Sequence, residues 1–403
     1  MEEALRICPR RLGHQIRRIL QLGLVLQDSE KDILTFNVDH SGSEDCIEQE
    51  VKDLPSTPKV SFEETLGKHV LPFLCIGCGS CVVVCPFDCL EYVDGRPALV
   101  KECKSCGICA QICPKHNLSI SALEQMIFGR ERNDDEDFGI HRRLVAAQAN
   151  DLDIMRVCQD GGVATALLVC ALQNGIIDGA VLSGVDENEP LKAVPRLATT
   201  KKEIMECAGT RYTYSPNMLA LNEAIQQKKK SLAFVGTPCQ IHAVRRLQAI
   251  PLRRYSKALT FTVGVFCSEC FTHDGLVNQL IRRTLGIDPR EVEKVNIKGG
   301  LIVTTKSGEV KRISLKEAKK YASNCASSCS DFSAELADIS VGGLGLDRWT
   351  FTILRTDKGE ELFQIAESEG LITTRPIQEE KRALDLLVRL SRKKRENASR
   401  QNL

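Results

Sequence analysis

The sequence predicts an α/β protein, a large domain of alternating strands and helices preceded by a small α+β module. Three observations carry this. Between about residues 142 and 378, apolar runs of strand length, such as Gly179-Ala-Val-Leu-Ser-Gly184 and Phe261-Thr-Val-Gly-Val-Phe266, alternate with helical patterns, as in a sheet covered by helices. Upstream stand two cysteine runs, Cys75-Ile-Gly-Cys78-Gly-Ser-Cys81-Val-Val-Val-Cys85-Pro86 and Cys103-Lys-Ser-Cys106-Gly-Ile-Cys109-Ala-Gln-Ile-Cys113-Pro114. Between the runs, two short strands, Leu90 to Val93 and Pro97 to Val100, meet at Asp94-Gly95, a hairpin signal.

The chain divides into five segments. Residues 1–67 open with a basic amphipathic stretch from Arg6 to Leu26, apolar at Ile16, Ile19, Leu20 and Leu24, which reads as one helix; polar and proline-broken sequence, Ser41-Gly-Ser-Glu-Asp and Pro55-Ser-Thr-Pro58, follows as a linker. Residues 68–124 form the cysteine module. Residues 125–141, with Arg130-Glu-Arg-Asn-Asp-Asp-Glu-Asp137, read as a charged linker. Residues 142–378 form the α/β domain, and 379–403 a basic amphipathic helical tail containing Arg392-Lys-Lys-Arg395, expected to fray.

The cysteine runs have the spacing of a two-cluster bacterial-type ferredoxin. Two residues between cysteines let a tight loop aim three thiolates at one cluster, and the fourth comes from the other run. Cys75, Cys78, Cys81 and Cys113 are thereby assigned to one [4Fe-4S] cluster, and Cys103, Cys106, Cys109 and Cys85 to the second. Paired Cys-x-x-Cys also suits zinc, but two complete runs each ending in Cys-Pro exceed a tetrahedral site. The module therefore moves electrons.

Composition narrows the setting. With 54 Lys and Arg against 53 Asp and Glu, the chain offers no electrostatic case for nucleic acid. Its 19 cysteines stand largely in ligand spacings and no signal peptide is evident, which implies a cytoplasmic protein without disulfides. No apolar run approaches the roughly 18 residues of a membrane helix; Val163 to Leu182 is broken by Gln173, Asn174, Gly175 and Asp178. Any membrane association would be peripheral, through a partner.

In the large domain, Gln159-Asp160-Gly161-Gly162 precedes a helical pattern. Such a helix start suits a phosphate or a flavin ring edge, though a plain loop has the same sequence. Cys239 lies at the start of a helix after Leu232-Ala-Phe-Val-Gly-Thr-Pro, and Cys267 at the end of a strand. Ligands collect at the carboxyl ends of such strands, where these two thiols could meet. With Cys325 and Cys329 they would complete a third [4Fe-4S] cluster. Buried free thiols explain the same residues, and Cys158, Cys207 and Cys270 are competing ligands. His242 and His273 read as packing or solvent-facing residues.

Five motifs, Cys158-Gln-Asp-Gly-Gly-Val-Ala-Thr-Ala-Leu, Gly209-Thr-Arg-Tyr-Thr-Tyr-Ser-Pro216, Phe234-Val-Gly-Thr-Pro-Cys-Gln240, Gly264-Val-Phe-Cys-Ser-Glu269 and Ala337-Asp-Ile-Ser-Val-Gly342, occur in the order found in the family of coenzyme F420-reducing hydrogenase beta subunits. Residues 142 to 375 resemble that family, whose members bind FAD and usually an iron–sulfur cluster and pass a hydride between F420 and FAD. Relatives include F420H2 dehydrogenase input subunits, formate dehydrogenase beta subunits and F420-dependent sulfite reductases. The resemblance implies a flavin-binding α/β domain with an amino-terminal ferredoxin-like module. It favours a third cluster on Cys239, Cys267, Cys325 and Cys329, with Cys267 rather than Cys270.

It also implies FAD contacts at Asp160, Gly161, Gly162 and Thr165, at Thr210, Arg211, Tyr212, Ser215 and Pro216, and at Gly236 and Thr237. Arg211 is the cationic candidate for a pyrophosphate or a reduced flavin. Lys201, Lys202, Arg245 and Arg246 are candidates for a basic rim meeting F420, or else a solvated face. A deazaflavin exchanges hydride and clusters exchange single electrons, so a flavin must stand between them. Electrons would then run between F420, FAD and three clusters to another redox subunit or ferredoxin. Alternatives are a ferredoxin-dependent flavin reductase that does not use F420, as in chlorophyll metabolism, and a non-catalytic electron-relay subunit.

Overall fold

The computed structural model describes residues 59–250, 252–323 and 329–401. The helix expected from Arg6 to Leu26, the polar linker after it and Cys325 lie outside the described residues.

Both cysteine runs fold the same way. Gly79, at φ 78°, precedes α1 (Ser80–Val83), and Gly107, at φ 71°, precedes α2 (Ile108–Ile112). A left-handed glycine turns the chain so that a short helix presents the third cysteine, Cys81 or Cys109, inward. Between α1 and α2, β1 (Leu90–Val93) and β2 (Arg96–Leu99) pair antiparallel. Asp94 and Gly95 at the turn both have positive φ, the geometry that a two-residue hairpin requires. Helix α3 (Ile120–Phe128) follows, its start capped by the Ser119 hydroxyl, which accepts from the Ala122 amide.

The large domain continues as β3 (Arg143–Ala149), α4 (Leu152–Val157), α5 (Val163–Gln173), β4 (Gly179–Val185), β5 (Ala193–Ala198), α6 (Lys201–Glu206), α7 (Met218–Gln226), β6 (Leu232–Gly236), α8 (Pro238–Ala249) and β7 (Leu259–Val265). Three antiparallel strands, β8 (Val292–Ile297), β9 (Gly300–Thr305) and β10 (Val310–Ser314), form a separate small sheet. The main sheet is completed by β11 (Ile339–Gly342), β12 (Thr350–Leu354) and, after α9 (Asp357–Ser368), β13 (Ile372–Pro376); α10 (Lys381–Gln401) ends the described chain. The main sheet has the order β13-β3-β12-β11-β7-β6-β4-β5. Its centre, β11, β7, β6 and β4, is parallel, and the flanking pairs are antiparallel. The architecture is α/β with a mixed sheet.

Helix α5 is buried from Thr165 to Ala171 on every side, as befits a core helix, and it packs with α9 on one face of the sheet through Leu167, Phe363 and Ala366. Among the described residues, no helix is long and apolar enough to cross a membrane. The cysteine module supplies Val83, Val84, Ile108, Ile112 and Leu123 to the core that α7 and α8 build with Met218, Leu221, Ile241, Val244 and Leu247. Each such side chain, fully buried, contributes about 1.5–3 kcal/mol, so module and sheet are fixed together.

The charged segment is docked rather than loose. Arg132 lies between Glu124 and Glu335, and Asp137 takes a two-pronged bond from Arg392 of α10 at 2.8 and 2.7 Å. Arg395 donates to both carboxylate oxygens of the buried Glu335, at 2.8 and 2.9 Å. Because these pairs hold α10 along its length, the tail runs as a helix to Gln401 and buries Leu387, Ser391, Lys394 and Ala398.

Candidate functional site

Burial and electrostatics gather the cysteines into sets. Cys81 is buried, and its thiol pKa is raised first by that burial, then by Cys78, Cys113, Cys109 and Cys75. Cys109 is pushed up to about 12 by burial, then by Cys106, Cys103 and Cys85. Cys113 is likewise pushed up to about 12, by burial first and then by Cys78 and Cys75 among others. Cys75, Cys78, Cys81 and Cys113 thus lie near one another, as do Cys85, Cys103, Cys106 and Cys109, and Cys109 also acts on Cys81 across the two groups. Buried thiols crowded this way ionise together only with a cation to offset their charge. Among the described residues, no three ligands converge on a single-ion position.

Of the four cysteines expected in a third set, three are described, at the sheet. The Thr237–Gln240 capping box starts α8 and buries Cys239. Cys267 follows β7, its amide donating to the Phe332 carbonyl at 2.9 Å. Cys239, Cys267 and Cys329 all lie near the ammonium of Lys394. Cys78 and Cys239 share a small buried cluster with Ile76 and Cys270, so the first ferredoxin-type set adjoins the third. Cys158 and Cys207 lie elsewhere, the first beside Asp160 and Lys294, the second beside Arg211 and Arg196.

The carboxyl edge of the parallel strands carries the second cluster of features. Gly161 donates its amide to the Thr350 hydroxyl at 3.0 Å and accepts from the Ala149 amide at 2.7 Å, fixing the start of α5 at the ends of β3 and β12. A Cβ on Gly161 would lie 2.6 Å from the Ala147 carbonyl oxygen, and Gly162 has φ 71°. Both glycines are therefore required by the fold. Asp160, on the same loop, abuts Gly343 beyond β11, where a Cβ would lie 2.5 Å from the Asp160 Oδ2. Burial raises the Asp160 pKa, Lys298 and Lys294 oppose the rise, and Asp347 adds to it. Tyr212 is half-buried near this carboxylate, and its hydroxyl pKa is raised first by desolvation and then by Asp160. The pair Lys294 and Lys298, on and just after β8, had no signal in the sequence, because only the small sheet's packing brings β8 to the Gln159 carbonyl, to which Lys294 donates at 3.1 Å.

Arg211 stands out among the flavin candidates. Its Nε is buried with no hydrogen-bond partner among the described residues, its Nη2 reaches only the Glu206 carbonyl at 3.4 Å, and burial lowers its pKa. A guanidinium in that condition is completed by an anion. Thr210 is exposed beside it. Ser215 and Thr237 are occupied instead with structure: Ser215 donates to Asn217 Oδ1 at 2.6 Å, its carbonyl accepts from Gln240 Nε2 at 2.5 Å, and Thr237 caps α8. Gly236 clears Gln240 and Phe234, Thr165 is buried in α5, and Pro216 starts the turn into α7 through a 2.9 Å bond from the Leu219 amide.

The expected basic rim is not formed by Arg245 or Arg246. Arg245 is buried, pairs with Asp338 at 3.0 Å and donates to the Leu336 carbonyl. Arg246 donates to the Gln111 and His116 carbonyls, the latter at 2.6 Å, and so ties α8 to the ferredoxin module. Lys201 pairs with Asp151 at 2.9 Å, while Lys202 is exposed. His242 is not solvent-facing but buried against Asp331, at 3.1 Å.

A family described as "Coenzyme F420 hydrogenase/dehydrogenase, beta subunit" matches by its amino-terminal part over residues 144–222 and by its carboxyl-terminal part over 229–380, and a "4Fe-4S binding domain" matches residues 69–91. The coenzyme F420 hydrogenase subunit beta of Methanothermobacter thermautotrophicus is 37% identical over 65% of this chain and 94% of its own length. An F420H2 dehydrogenase subunit of Methanosarcina mazei is 30% identical over 80% of this chain and 89% of its own length. A chain of the F420-reducing [NiFe] hydrogenase complex from Methanosarcina barkeri superposes with a TM-score of 0.64 at 34% identity, over 67% of this chain and 94% of that one. With both halves of the family domain matched and relatives covered almost end to end, this chain belongs to the family of coenzyme F420 hydrogenase/dehydrogenase beta subunits, with an iron–sulfur module joined ahead of the family domain.

Proposed function

We propose that this chain is an iron–sulfur flavoprotein that passes a hydride between coenzyme F420 and FAD and relays electrons one at a time through three [4Fe-4S] clusters to a partner redox subunit or ferredoxin. The observation that supports the reading is the closeness of cysteines from the two parts of the chain: Cys78 and Cys239 share one buried cluster, and Cys81 lies near Cys109.

FAD, when bound, converts between two-electron hydride exchange and one-electron exchange. Arg211 fits it by the unmatched Nε, which accommodates a pyrophosphate oxygen or the negative charge of a reduced flavin. Asp160 and Tyr212 border the same edge, and Lys298, exposed beside Asp160, offers a cation to the anionic tail of F420. The residues' task is to hold two ring systems face to face and exclude water. A partner role is in keeping with the relatives, which are named as subunits of F420-reducing hydrogenase and F420H2 dehydrogenase.

The test is anaerobic: cluster-reconstituted full-length protein receives F420H2, oxidised F420 absorbance is followed, and FAD and iron are counted on the same sample. Rapid oxidation with one FAD and about twelve irons, three four-iron clusters, supports the reading. No oxidation despite bound FAD and full clusters overturns it in favour of a flavin reductase fed by ferredoxin.

A further inference from the structure

The small sheet has two unlike faces. Val295, Val303 and Ile313 pack with Leu276, Leu280 and Ile281 of the helix Asp274–Thr284. Side chains alternate along a strand, so the opposite face takes Lys294 and Asn296 from β8, Ile302 and Thr304 from β9, and Val310 and Arg312 from β10. The register sets these in two rows, Lys294 beside Thr304 beside Val310 and Asn296 beside Ile302 beside Arg312. This face is bare: Val310 is 60% exposed, and Arg312 is exposed, as is Lys298 at the turn into β9.

The cations of the bare face are also uncompensated. Lys311, of the other parity on β10, pairs with Glu309 at 3.4 Å and donates to the Leu285 carbonyl at 2.8 Å. By contrast, the side chains of Lys298 and Arg312 make no ion pair or hydrogen bond among the described residues. Lys294 gives a single bond, to the Gln159 carbonyl at 3.1 Å, which moors the sheet to the loop of Asp160. The bare face therefore opens from the same edge as the site proposed for the two rings. Two strand spacings, about 10 Å, separate Arg312 from Asn296, and Lys294 and Lys298 each stand two residues from Asn296. No single phosphate or carboxylate spans such a triangle. Like charges held apart on one surface attract an anion whose negative groups are themselves spaced along a chain.

We propose that Lys294, Lys298 and Arg312 form a subsite for the anionic tail of the deazaflavin substrate, which lies across the small sheet while the ring stays at the Asp160 edge. The inference rests on the F420 reading of the site. The phosphate and glutamyl carboxylates of F420 are a chain of this kind, so the small sheet selects for substrates that carry one. It adds Lys294 and Arg312, two strands away, to the single contact at Lys298.

The test uses full-length, cluster-reconstituted wild type, K298Q/R312Q and K298R/R312K; both side chains are exposed and unbonded, so the substitutions spare the fold. Two deazaflavins are compared, F420 and the same ring system cut back to its ribityl chain, which has neither phosphate nor carboxylate. Binding of the oxidised forms is read from their fluorescence, and KM and kcat from oxidation of the reduced forms, at low and high salt. K298Q/R312Q is expected to raise Kd and KM for F420 about three- to tenfold, the worth of two exposed ion pairs, with kcat retained. Added salt weakens F420 binding more in wild type than in this variant. The truncated deazaflavin behaves alike in both proteins, and K298R/R312K stays near wild type. Equal F420 affinity in wild type and K298Q/R312Q overturns the subsite; if that variant also reduces an added ferredoxin more slowly, the face docks a protein instead. A loss shared equally by the truncated deazaflavin overturns it too, since the cations then act on the ring. A wild type that binds and oxidises neither deazaflavin overturns the F420 reading itself.

Discussion

Cys78 and Cys239 occupy one buried cluster, although the first belongs to the ferredoxin-type module and the second opens a helix of the α/β domain. That juxtaposition joins the ferredoxin-type module to the α/β domain mechanically and sets two of the proposed cluster ligands in one packed cluster. The module's own helices pack into the α7–α8 core, and Arg246 anchors the carbonyls around Cys113, so the distance between the two thiols is held by the fold.

Removing a thiolate on either side of that contact separates the two compartments. C78A and C239A are each expected to lose about four of about twelve irons, by iron analysis and by disappearance of different EPR signals. In C239A, dithionite still reduces the two ferredoxin-type clusters, whereas F420H2 no longer does. Equal F420H2-driven reduction in C239A and wild type would place the electron path elsewhere.

Arg211 carries a buried charge with an unmatched Nε, so its removal separates ligand binding from stability. A hydrogen bond to a charged group contributes about 1.5–3 kcal/mol, and R211M is therefore expected to weaken FAD about 10- to 100-fold in equilibrium dialysis. Its melting temperature stays at or above wild type, because an uncompensated buried charge is gone. R211K does not restore affinity, since an ammonium cannot reproduce the planar fork.

Gly343 marks how tightly Asp160 is held. A methyl group there meets the carboxylate at 2.5 Å; overpacking of this kind costs about 1–3 kcal/mol. G343A should lower the unfolding free energy, measured by chemical denaturation, by that amount and reduce bound FAD per chain. An unaltered FAD content would remove the Asp160 loop from the flavin site.

The docked charged segment gives a pH dependence of known sign. The Arg130 bond to Glu136, at 2.7 and 2.6 Å, holds the Glu136 pKa at about 2 against an ordinary 4.5, burial opposing the shift and the Asn133 amide adding to it. A depressed carboxylate stabilises the fold above its unfolded pKa and loses that contribution as pH falls from about 4.5 through about 2. Because Arg130 is about half exposed, screening leaves about 1 kcal/mol. Chemical denaturation at pH 7 should show E136Q less stable by about that amount, the two proteins converging near pH 2. A constant difference across the range would assign the loss to something other than this ion pair.

The ferredoxin-type spacing, the hairpin turn at Asp94-Gly95, the strand-to-helix turn at Cys239 and the strand-end Cys267 were all legible locally, because each depends on residue types within a few positions of one another. Cluster loops need cysteines at fixed intervals and left-handed glycines beside them. Likewise the family motifs mark the carboxyl edge, although several of their residues, Gly161, Gly236, Ser215 and Thr237, answer to packing and capping. Other features depended on pieces of chain distant in sequence. Arg245 and Arg246 looked like a solvent-facing rim, but the docking of α8 against Asp338 on one side and the ferredoxin module on the other turned both inward. Lys294 and Lys298 reach Asp160 only because the small sheet folds over the edge, and Lys394 reaches Cys267 only because Asp137 and Glu335 clamp the tail. Ligand spacing is written in local sequence because short loops determine it; which charges stand beside the ligands was decided by tertiary structure, because burial and Coulomb energy depend on distance in space.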